Sequence, residues 1–237
     1  MTEPSKAEYL WGTINALRES QRYIEHGNPG ISDVKDRVFS VEPGVFPSHE
    51  FQDTKFFTEN ILSQKGKSFC EIGCGAGITA ITIALEGAER VVATDNCLIA
   101  VNNTRKNARK YGVKEKVDIR RGYELTPIKQ DERFDTIYWN VPFGYVEFRP
   151  EGIEASVFSY KYENIKRFFD EARDHLNSNG SLMFGFSPEI GRKDLIDKYL
   201  INNDLVILNR AAKIFSKGTM NPAGPVTLEL YETKKRG

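Results

Sequence analysis

The chain has 237 residues and carries 33 basic and 33 acidic side chains. This length supports one substantial hydrophobic core and excludes two full-sized domains joined by linkers. The zero net charge excludes a field of one sign that would draw the whole molecule onto nucleic acid or an acidic membrane. The apolar runs fall far short of the roughly 20 residues needed to span a bilayer, and the polar residues 1–6 do not form a signal peptide. We therefore expect a cytoplasmic protein.

The first part of the chain predicts a small helical unit. Apolar residues recur at helical spacing over 6–26, which predicts one amphipathic helix, and the Gly- and Pro-containing residues 27–30 stop it. A short extended stretch, interrupted by Pro43-Gly44, follows at 37–46. We expect residues 1–45 to form an N-terminal unit that covers the ligand-binding side of a main domain spanning 46–237.

Apolar runs then alternate with amphipathic helices along most of the remaining chain. The predicted strands lie at 67–73, 90–95, 117–120, 134–141 and 181–186. The predicted helices lie at 51–62, 78–86, 97–111, 165–176 and 194–201, the fourth of them ending at Asn179 and Gly180. Strands and helices that alternate in this way predict a parallel sheet with crossover helices.

The last two β-rich segments, 205–214 and 226–231, have no helix between them and are joined by a loop around 218–225. Two strands joined that way are antiparallel neighbours. The predicted fold class is therefore α/β: a Rossmann-like, seven-stranded, mostly parallel sheet with a C-terminal antiparallel hairpin, helices on both faces and a short N-terminal helical appendage. The hairpin argues against the nucleotide dehydrogenases, which usually lack it.

A glycine-rich turn follows the first of the parallel strands. Gly73, Gly75 and Gly77 occur where strand gives way to helix, and glycine suits a tight turn whose backbone must touch a ligand. Ile78 stands where a dinucleotide-binding fingerprint carries its last Gly or Ala. This argues against a pyrophosphate resting on the start of the helix.

Two carboxylates flank this turn. Asp95 ends the next strand, where an ionised carboxylate can accept hydrogen bonds from both ribose hydroxyls. Its alternative role is that of a helix N-cap, and the two roles are compatible. Glu71 lies inside a buried strand, which is costly unless a cationic or hydrogen-bonding group meets it. The amino group of a bound ligand is such a partner.

The glycine turn, the two acids and the terminal hairpin resemble those of the class I S-adenosylmethionine-dependent methyltransferases, from about residue 46 to the C-terminus. The resemblance implies S-adenosyl-L-methionine as the cofactor. It also implies a set of cofactor-binding residues: Thr54, Glu71, Gly73, Cys74, Gly75, Gly77, Asp95, Asn96, Gly122 and Tyr123. Thr54 belongs to the pair Asp53-Thr54 ahead of the first parallel strand, which resembles a family position beside the cofactor. In that family the end of the third strand holds the adenine, so the Tyr123 ring is expected either to stack there or to pack against the protein.

A second motif, Asn140-Val141-Pro142-Phe143, ends the fourth strand. It resembles the Asn-Pro-Pro-Tyr/Phe motif of methyltransferases that act on glutamine amides and exocyclic base nitrogens, and the nearest likeness is to the HemK/PrmC-like and small-domain amino-methyltransferases. The side-chain oxygen of Asn140 and the backbone carbonyl of Val141 can each accept one N–H and aim the acceptor nitrogen at the methyl group. Pro142 would fix the carbonyl, and Phe143 would stack on a planar acceptor.

Val141 departs from this family motif, which has Pro there. The carbonyl survives the change, but the backbone is less rigid, so amide or base specificity is open to question. The motif has a purely structural alternative as a turn that ends a strand. We interpret all four residues as catalytic.

The predicted function is transfer of a methyl group to an amine or amide nitrogen of a small molecule, protein or peptide. Three alternatives stay open: an O-methyltransferase, a nucleic-acid base N-methyltransferase, and an S-adenosylmethionine-binding protein without catalysis. Nucleic acid is the less favoured partner because the charge is balanced and the N-terminal appendage is short. No membrane partner is expected. Cys70, Cys74 and Cys97 predict reduced thiols, and no metal site is expected.

Two further segments keep two interpretations each. Residues 144–158 predict a long loop with several aromatic side chains, which either closes over the crevice as a substrate lid or packs against the next helix. Residues 105–121 carry eight basic side chains against two acidic ones. They form either a solvated helix face and strand edge or a phosphate-binding surface. The solvated surface is the favoured interpretation.

Overall fold

A seven-stranded sheet forms the centre of the computed structural model, which describes residues 4–28, 30–217 and 221–236. In chain order the elements are α1 (Lys6–Glu25), β1 (Gly30–Val34), β2 (Arg37–Val41), α2 (Asp53–Asn60), β3 (Ser68–Ile72), α3 (Ile78–Leu85), β4 (Arg90–Asp95), α4 (Leu98–Lys110), β5 (Val117–Arg121), β6 (Phe134–Asn140), β7 (Gly144–Val146), β8 (Phe158–Tyr160), α5 (Glu163–Ala172), β9 (Leu176–Phe186), α6 (Lys193–Asn202), β10 (Leu205–Phe215) and β11 (Val226–Lys235). Short 3-10 helices lie at Gly152–Ser156 and Arg173–His175.

The strand order of the central sheet is β10-β11-β9-β6-β3-β4-β5. β3 pairs in parallel with β4 and β6, and the parallel pairing continues outwards to β5 and β9. β11 pairs antiparallel with both β9 and β10. The predicted fold class is confirmed. Because the chain turns from β4 and β5 on one side of β3 to β6 on the other, a crevice opens at the carboxyl ends of these strands.

Two apolar clusters fill the space between the sheet and its helices. Ile137 and Tyr138 are neighbours on β6, so they point to opposite faces, and both are buried. Phe57 of α2 and Ile81 of α3 belong to the cluster of Tyr138, whereas Phe168 of α5 belongs to that of Ile137. Burial of each such side chain contributes about 1.5–3 kcal/mol. Packing on both faces thereby fixes the strand ends that border the crevice.

Helix α1 begins at a capping box and lies against the C-terminal hairpin. Ser5 and Glu8 bond each other's backbone N–H at the start of the helix. Asn221 is almost completely buried, and its amide nitrogen donates to the backbone oxygen of Tyr9 and to the hydroxyl of Thr13. The helix therefore connects the two ends of the described chain. The domain boundary at residue 45 stays a prediction.

Residues 30–34 form a strand that we do not predict from the sequence. β1 pairs with β2 in a hairpin whose turn residues, Lys35 and Asp36, have φ of 50° and 59°. Such turns favour Asn-Gly or Asp-Gly, so Lys-Asp gives little signal. The extended stretch predicted at 37–46 is shorter in the structure, because β2 ends at Val41.

The prediction that the helix at 165–176 continues to Leu176 and ends at Asn179 and Gly180 is wrong, because α5 ends at Ala172. Leu176 begins β9 and pairs with Phe134 of β6, and Gly180 lies inside the same strand. Strand pairing with β6 therefore replaces the helical turns that the apolar spacing favours. This is a tertiary contact that overrides a local pattern.

Some predictions concern residues outside the described ranges. Residues 218–220 of the predicted hairpin loop lie outside them, as do residues 1–3 of the N-terminal unit and residue 29 in the predicted helix stop. Within the described ranges, no helix combines the length and apolar character that crossing a bilayer requires.

Candidate active site

The carboxyl ends of β3, β4 and β6 open into a cavity of about 630 Å³. Every residue of the two predicted site sets lines it except Gly77. Residues that follow β2, β5 and β7 complete the walls. The folded chain therefore brings the predicted cofactor and acceptor residues into one continuous space.

The glycine turn shapes one wall of the cavity. Gly73 and Gly75 have φ of 64° and 57°, a left-handed conformation that other residues rarely adopt. A Cβ built on Gly75 meets no atom closer than Val45, at 3.9 Å, so a side chain there would project into the space that a ligand needs. The backbone N–H of Gly75 donates to Oδ2 of Asp95 at 2.9 Å.

Gly77 lies outside the cavity lining. It is the N-cap of α3, with φ of 77°, and a Cβ there would come within 2.5 Å of Thr104 on α4. Glycine at this position therefore allows α3 and α4 to pack closely. Gly77 does not line the cavity, so its assignment to the cofactor-binding residues stays a prediction.

Glu71 is buried at 5% exposure, as its place in a central strand predicts. Its Oε2 accepts a hydrogen bond of 2.8 Å from the backbone N–H of Ala80, in the first turn of α3. Burial raises the pKa of Glu71 to about 8, the hydrogen bonds from Ala80 and Thr79 oppose that rise, and the charge of Asp95 adds to it. A helix terminus thus supplies part of the compensation that a buried carboxylate requires.

Asp95 points towards the glycine turn. Besides accepting from Gly75, it accepts at Oδ1 from the backbone N–H of Cys97 at 2.9 Å. The N-cap of α4 is Cys97 and not Asp95, so the alternative role of a helix cap is wrong in its strict form. Burial raises the pKa of Asp95, and the backbone hydrogen bonds from Cys97 and Gly75 lower it. Each carboxylate oxygen keeps a lone pair for a further donor.

Asn140 ends β6, and the nitrogen and oxygen of its side-chain amide have different surroundings. Its Nδ2 donates to Oδ2 of Asp53 at 2.8 Å. Its Oδ1 is buried and has no hydrogen-bond partner among the described residues. Since such an oxygen costs about 1–3 kcal/mol when unsatisfied, a donor from a ligand is the expected occupant.

Asp53 is a site residue that the sequence marks only through the pair Asp53-Thr54, which resembles a family position beside the cofactor. It is the first residue of α2, only 4% exposed, and it lines the cavity beside the predicted Thr54. Its Oδ1 accepts from the backbone N–H of Thr54 at 2.7 Å. Burial raises the pKa of Asp53, and the hydrogen bond from Asn140 opposes that rise. The available signal is its place directly before Thr54.

Val141, Pro142 and Phe143 continue the wall beyond Asn140. The ring of Phe143 lies edge-on to those of Phe57 and Phe186, with centroids 6.3 Å and 6.2 Å away. This packing holds the ring at the cavity surface. The backbone after β6 is therefore a fixed part of the site.

The rim near β4 and β5 is formed by Asn96, Gly122 and Tyr123. Tyr123 is 64% exposed, so its ring is not packed in the core. Of the two predicted roles, packing against the protein is therefore wrong for this ring. Stacking on a ligand stays a prediction.

The segment 144–158 has one part that packs against the protein and another that borders the cavity. Phe158 is buried, and Tyr145 packs edge-on against Tyr162. The segment around the 3-10 helix lines the cavity instead, through Pro150, Gly152, Ile153, Ala155, Ser156 and Val157. Tyr145 and Phe158 thus anchor the segment, Phe148 is exposed, and the middle part lines the cavity.

Helix α1 contacts the walls of the cavity from outside. The amide nitrogen of Gln21 donates to the backbone oxygen of Val45 at 2.9 Å, and its Oε1 accepts from the N–H of Gly44 at 2.7 Å. Arg18 pairs with Glu154 of the covering segment at 2.7 Å. These contacts support the predicted role of residues 1–45 as a cover, which stays a prediction.

The cavity is electrostatically one-sided. Its lining, all of it within the described ranges, contains the carboxylates of Asp53, Glu71, Asp95 and Glu124 and no Lys, Arg or His. Glu124 is neutralised in part by Arg167 at 2.8 Å. A phosphate group would meet no counter-charge in this lining, whereas an ammonium or sulfonium group would.

Comparisons with known proteins identify the family of this chain. A sequence model of the family described as "Methyltransferase small domain" matches residues 36–216. The release factor glutamine methyltransferase of Clostridium botulinum is 28% identical over 207 residues, which cover 78% of this chain and 71% of that protein. A ribosomal protein L11 methyltransferase of Desulfotalea psychrophila is 32% identical over 110 residues, 44% of this chain, and the matched part is only 35% of that relative's length.

The fold is shared with solved methyltransferases. A SAM-dependent methyltransferase from Thiobacillus denitrificans, crystallised with S-adenosyl-L-homocysteine, aligns with a TM-score of 0.57 at 10% identity, over 79% of this chain and 93% of that chain. The family match spans most of the chain, from the β1–β2 hairpin to the end of β10. The chain therefore belongs to the methyltransferase small domain family and is an S-adenosylmethionine-dependent methyltransferase.

Proposed function

We propose that this enzyme methylates a nitrogen atom of an amide or amine, presented by a polypeptide side chain or a small molecule. The observation that carries the proposal is the buried, unpartnered Oδ1 of Asn140 in the cavity lining. A primary amide or amine nitrogen carries two N–H groups, one for this oxygen and one for the carbonyl of Val141, whereas a hydroxyl acceptor carries a single O–H.

The cofactor is held, in this proposal, by the acids and the glycine turn. Asp95 accepts the ribose hydroxyls with the lone pairs that Gly75 and Cys97 leave free. Glu71 meets the amino group of the methionine moiety, which lowers the cost of its burial. Tyr123 lies where it can stack on the adenine. The absence of a Cβ at Gly75 leaves room for close approach.

S-adenosylmethionine supplies an electrophilic methyl group, so the protein needs to orient the acceptor more than to activate it. Oδ1 of Asn140 and the carbonyl of Val141 each accept one N–H of the acceptor. The nitrogen lone pair then points along the line of transfer. Phe143 lies against the planar face of the acceptor.

The class of acceptor follows from the charges and from the relatives. The cavity lining offers carboxylates and no cation, which disfavours a phosphate-rich acceptor. The relatives are named for a release factor glutamine and for ribosomal protein L11. We therefore favour a polypeptide side chain or a small amide or amine over nucleic acid.

The test is methyl transfer from labelled S-adenosylmethionine to capped glutamine, asparagine and lysine amides, to a peptide library and to total RNA. We expect label on nitrogen in the peptide or small-molecule arms. Asn140→Ala should keep S-adenosylhomocysteine binding and lose transfer, whereas Asp95→Ala should lose binding. Label only in RNA or on oxygen would contradict the proposal, and binding without transfer to any acceptor would indicate a non-catalytic protein.

A further inference from the structure

Asp53 is a buried acid that the reaction proposed above does not use. It is 4% exposed and lies at the start of α2, 87 residues before its partner Asn140. One carboxylate oxygen accepts from the backbone of Thr54 and the other accepts from Nδ2 of Asn140. Both oxygens are therefore engaged within the protein, and the carboxylate is fixed relative to the end of β6.

The contact with Asn140 decides which end of an amide faces the cavity. Rotation of the Asn140 side-chain amide by half a turn exchanges oxygen and nitrogen with almost no change in shape, so packing alone cannot select one orientation. An ionised carboxylate can only accept hydrogen bonds. Asp53 therefore requires the nitrogen of Asn140 to face it, and the oxygen must face the other way, where it has no partner.

We propose that Asp53 is a positioning residue, which holds the Asn140 amide so that its oxygen is presented to the methyl acceptor. The inference rests on the proposed function, because a nitrogen acceptor is what gives that oxygen its role. With Asn in place of Asp53, the backbone N–H of Thr54 would retain the side-chain oxygen and the new NH2 would face Asn140, whose own NH2 would then turn to the acceptor and repel an incoming N–H.

The opposite end of β6 supplies a matched comparison. Asp135 accepts from Nδ2 of Asn177 at 2.8 Å, so the same pair of groups occurs there. Asn177 is exposed, and neither residue lines the cavity. Substitution of Asp135 therefore controls for the loss of a carboxylate–amide pair on the same strand.

The experiment compares two ligands and needs no methyl acceptor. S-adenosylhomocysteine has nothing in place of the transferred methyl group. Sinefungin is an analogue in which a carbon bearing an amino group replaces the sulfur and its methyl, so its N–H groups point at the acceptor site. Calorimetry gives the two dissociation constants, and their ratio reports how strongly hydrogen-bond acceptors in the acceptor site bind the amino group of sinefungin.

In the wild type we expect sinefungin to bind about tenfold more tightly than S-adenosylhomocysteine, the effect of one hydrogen bond to a charged group. Asn140→Ala and Asp53→Asn should each remove most of this preference and leave the S-adenosylhomocysteine affinity within about threefold, because neither group is assigned to the shared part of the ligands. Asp135→Asn should keep the preference.

The double variant separates positioning from direct attraction by the Asp53 charge. If Asp53 acts through Asn140, adding Asp53→Asn to Asn140→Ala should change the preference no further. A full additional loss in the double variant would overturn the inference, as would an unchanged preference in Asp53→Asn alone or the absence of any preference in the wild type. Failure of methyl transfer to nitrogen in the assay described above is a separate result, which concerns the acceptor.

A measurement on the wild type covers the case in which Asp53→Asn does not fold. Protonated Asp53 can donate to Asn140 and release its orientation, so the preference for sinefungin should fall as the pH is lowered, and should not fall in Asn140→Ala. Burial raises the pKa of Tyr138 of β6 and the charges of Glu71 and Asp53 add to that rise, so its hydroxyl stays neutral. Glu71 is assigned to a group that both ligands share, so the effect of its titration cancels from the ratio of the two dissociation constants. A preference independent of pH in both proteins would contradict the inference.

Discussion

At the scale of single residues, Glu71 shows how one buried carboxylate serves both the fold and the site. Its position inside β3 is costly, and the backbone N–H of Ala80 with the side chain of Thr79, both in α3, offsets only part of that cost. The pKa of Glu71 therefore rises to about 8. In the absence of cofactor the protein binds a proton there over a pH range where an exposed carboxylate would not.

This pKa makes stability depend on pH in a defined direction. The folded pKa of about 8 lies above the ordinary value of 4.5, so the stability is fully present below pH 4.5 and is lost as the pH rises through about 8. We expect the free energy of unfolding of the cofactor-free protein to fall, relative to Glu71→Gln, by roughly 2–4 kcal/mol between pH 5 and pH 8. Urea titrations of both proteins across this range measure the difference. Parallel curves would show that Glu71 is already ionised at pH 5.

The sequence predicts some site residues and not others for a physical reason. Glu71 and Asp95 stand beside a glycine turn, and Asn140 ends an apolar strand, so each is marked by its neighbours in the chain. For Asp53 the chain offers only its place beside Thr54, and its contact with Asn140 spans 87 residues. A contact of that kind exists only after the sheet and α2 have come together.

At the scale of the elements, close contact between α1 and the C-terminal hairpin reverses an ordinary helix rule. Gly12 is buried in the middle of α1, and a Cβ there would overlap the side chain of Asn221. Asn221 is itself held by the backbone of Tyr9 and by Thr13. The glycine therefore gives up helix propensity to allow this contact.

Gly12→Ala should accordingly destabilise the protein by about 1–3 kcal/mol, as overpacking does, although alanine is favoured over glycine in an exposed helix by about 1 kcal/mol. Asn15→Ala, on the exposed side of the same helix, is the matched control and should be neutral or slightly stabilising. Chemical denaturation of the two variants decides. A stabilised Gly12→Ala would mean that α1 does not pack as described.

Elements are predictable where the local pattern and the tertiary contact agree. The alternation of apolar runs and helices locates β4 to the residue, because its Val-rich core and its terminal Asp95 mark both ends. The β1–β2 hairpin has no typical turn residues at Lys35 and Asp36, and only their φ values reveal it. In β9, pairing of Leu176 with Phe134 replaces a helical spacing that looks regular in the sequence.

At the scale of the whole molecule, the zero net charge conceals an uneven distribution. The cavity lining has four carboxylates and no cation within the described ranges. The basic residues of the 105–121 segment include Arg105 and Arg109, which with Lys116 border a different depression near the start of β5. The favoured interpretation of that segment, a solvated surface, stays a prediction.

Binding of S-adenosylhomocysteine, which is what remains of the cofactor after methyl transfer, should stabilise the whole fold, because the site joins three central strands. At a concentration one hundred times the dissociation constant, S-adenosylhomocysteine adds about 2.7 kcal/mol, which for a chain of this size raises Tm by roughly 5–10 °C. NAD at the same concentration should give no shift. Differential scanning fluorimetry with both ligands tests this, and a shift with NAD alone would contradict the assigned cofactor.

The position of β11 between β9 and β10 has a consequence for shortened chains. Among the described strands, β11 is the only neighbour of β10, although it follows β10 in the chain. A chain that ends before residue 226 would leave the backbone groups of β10 unpaired and would open one edge of β9. Loss of this single terminal strand should therefore create two exposed strand edges and favour aggregation.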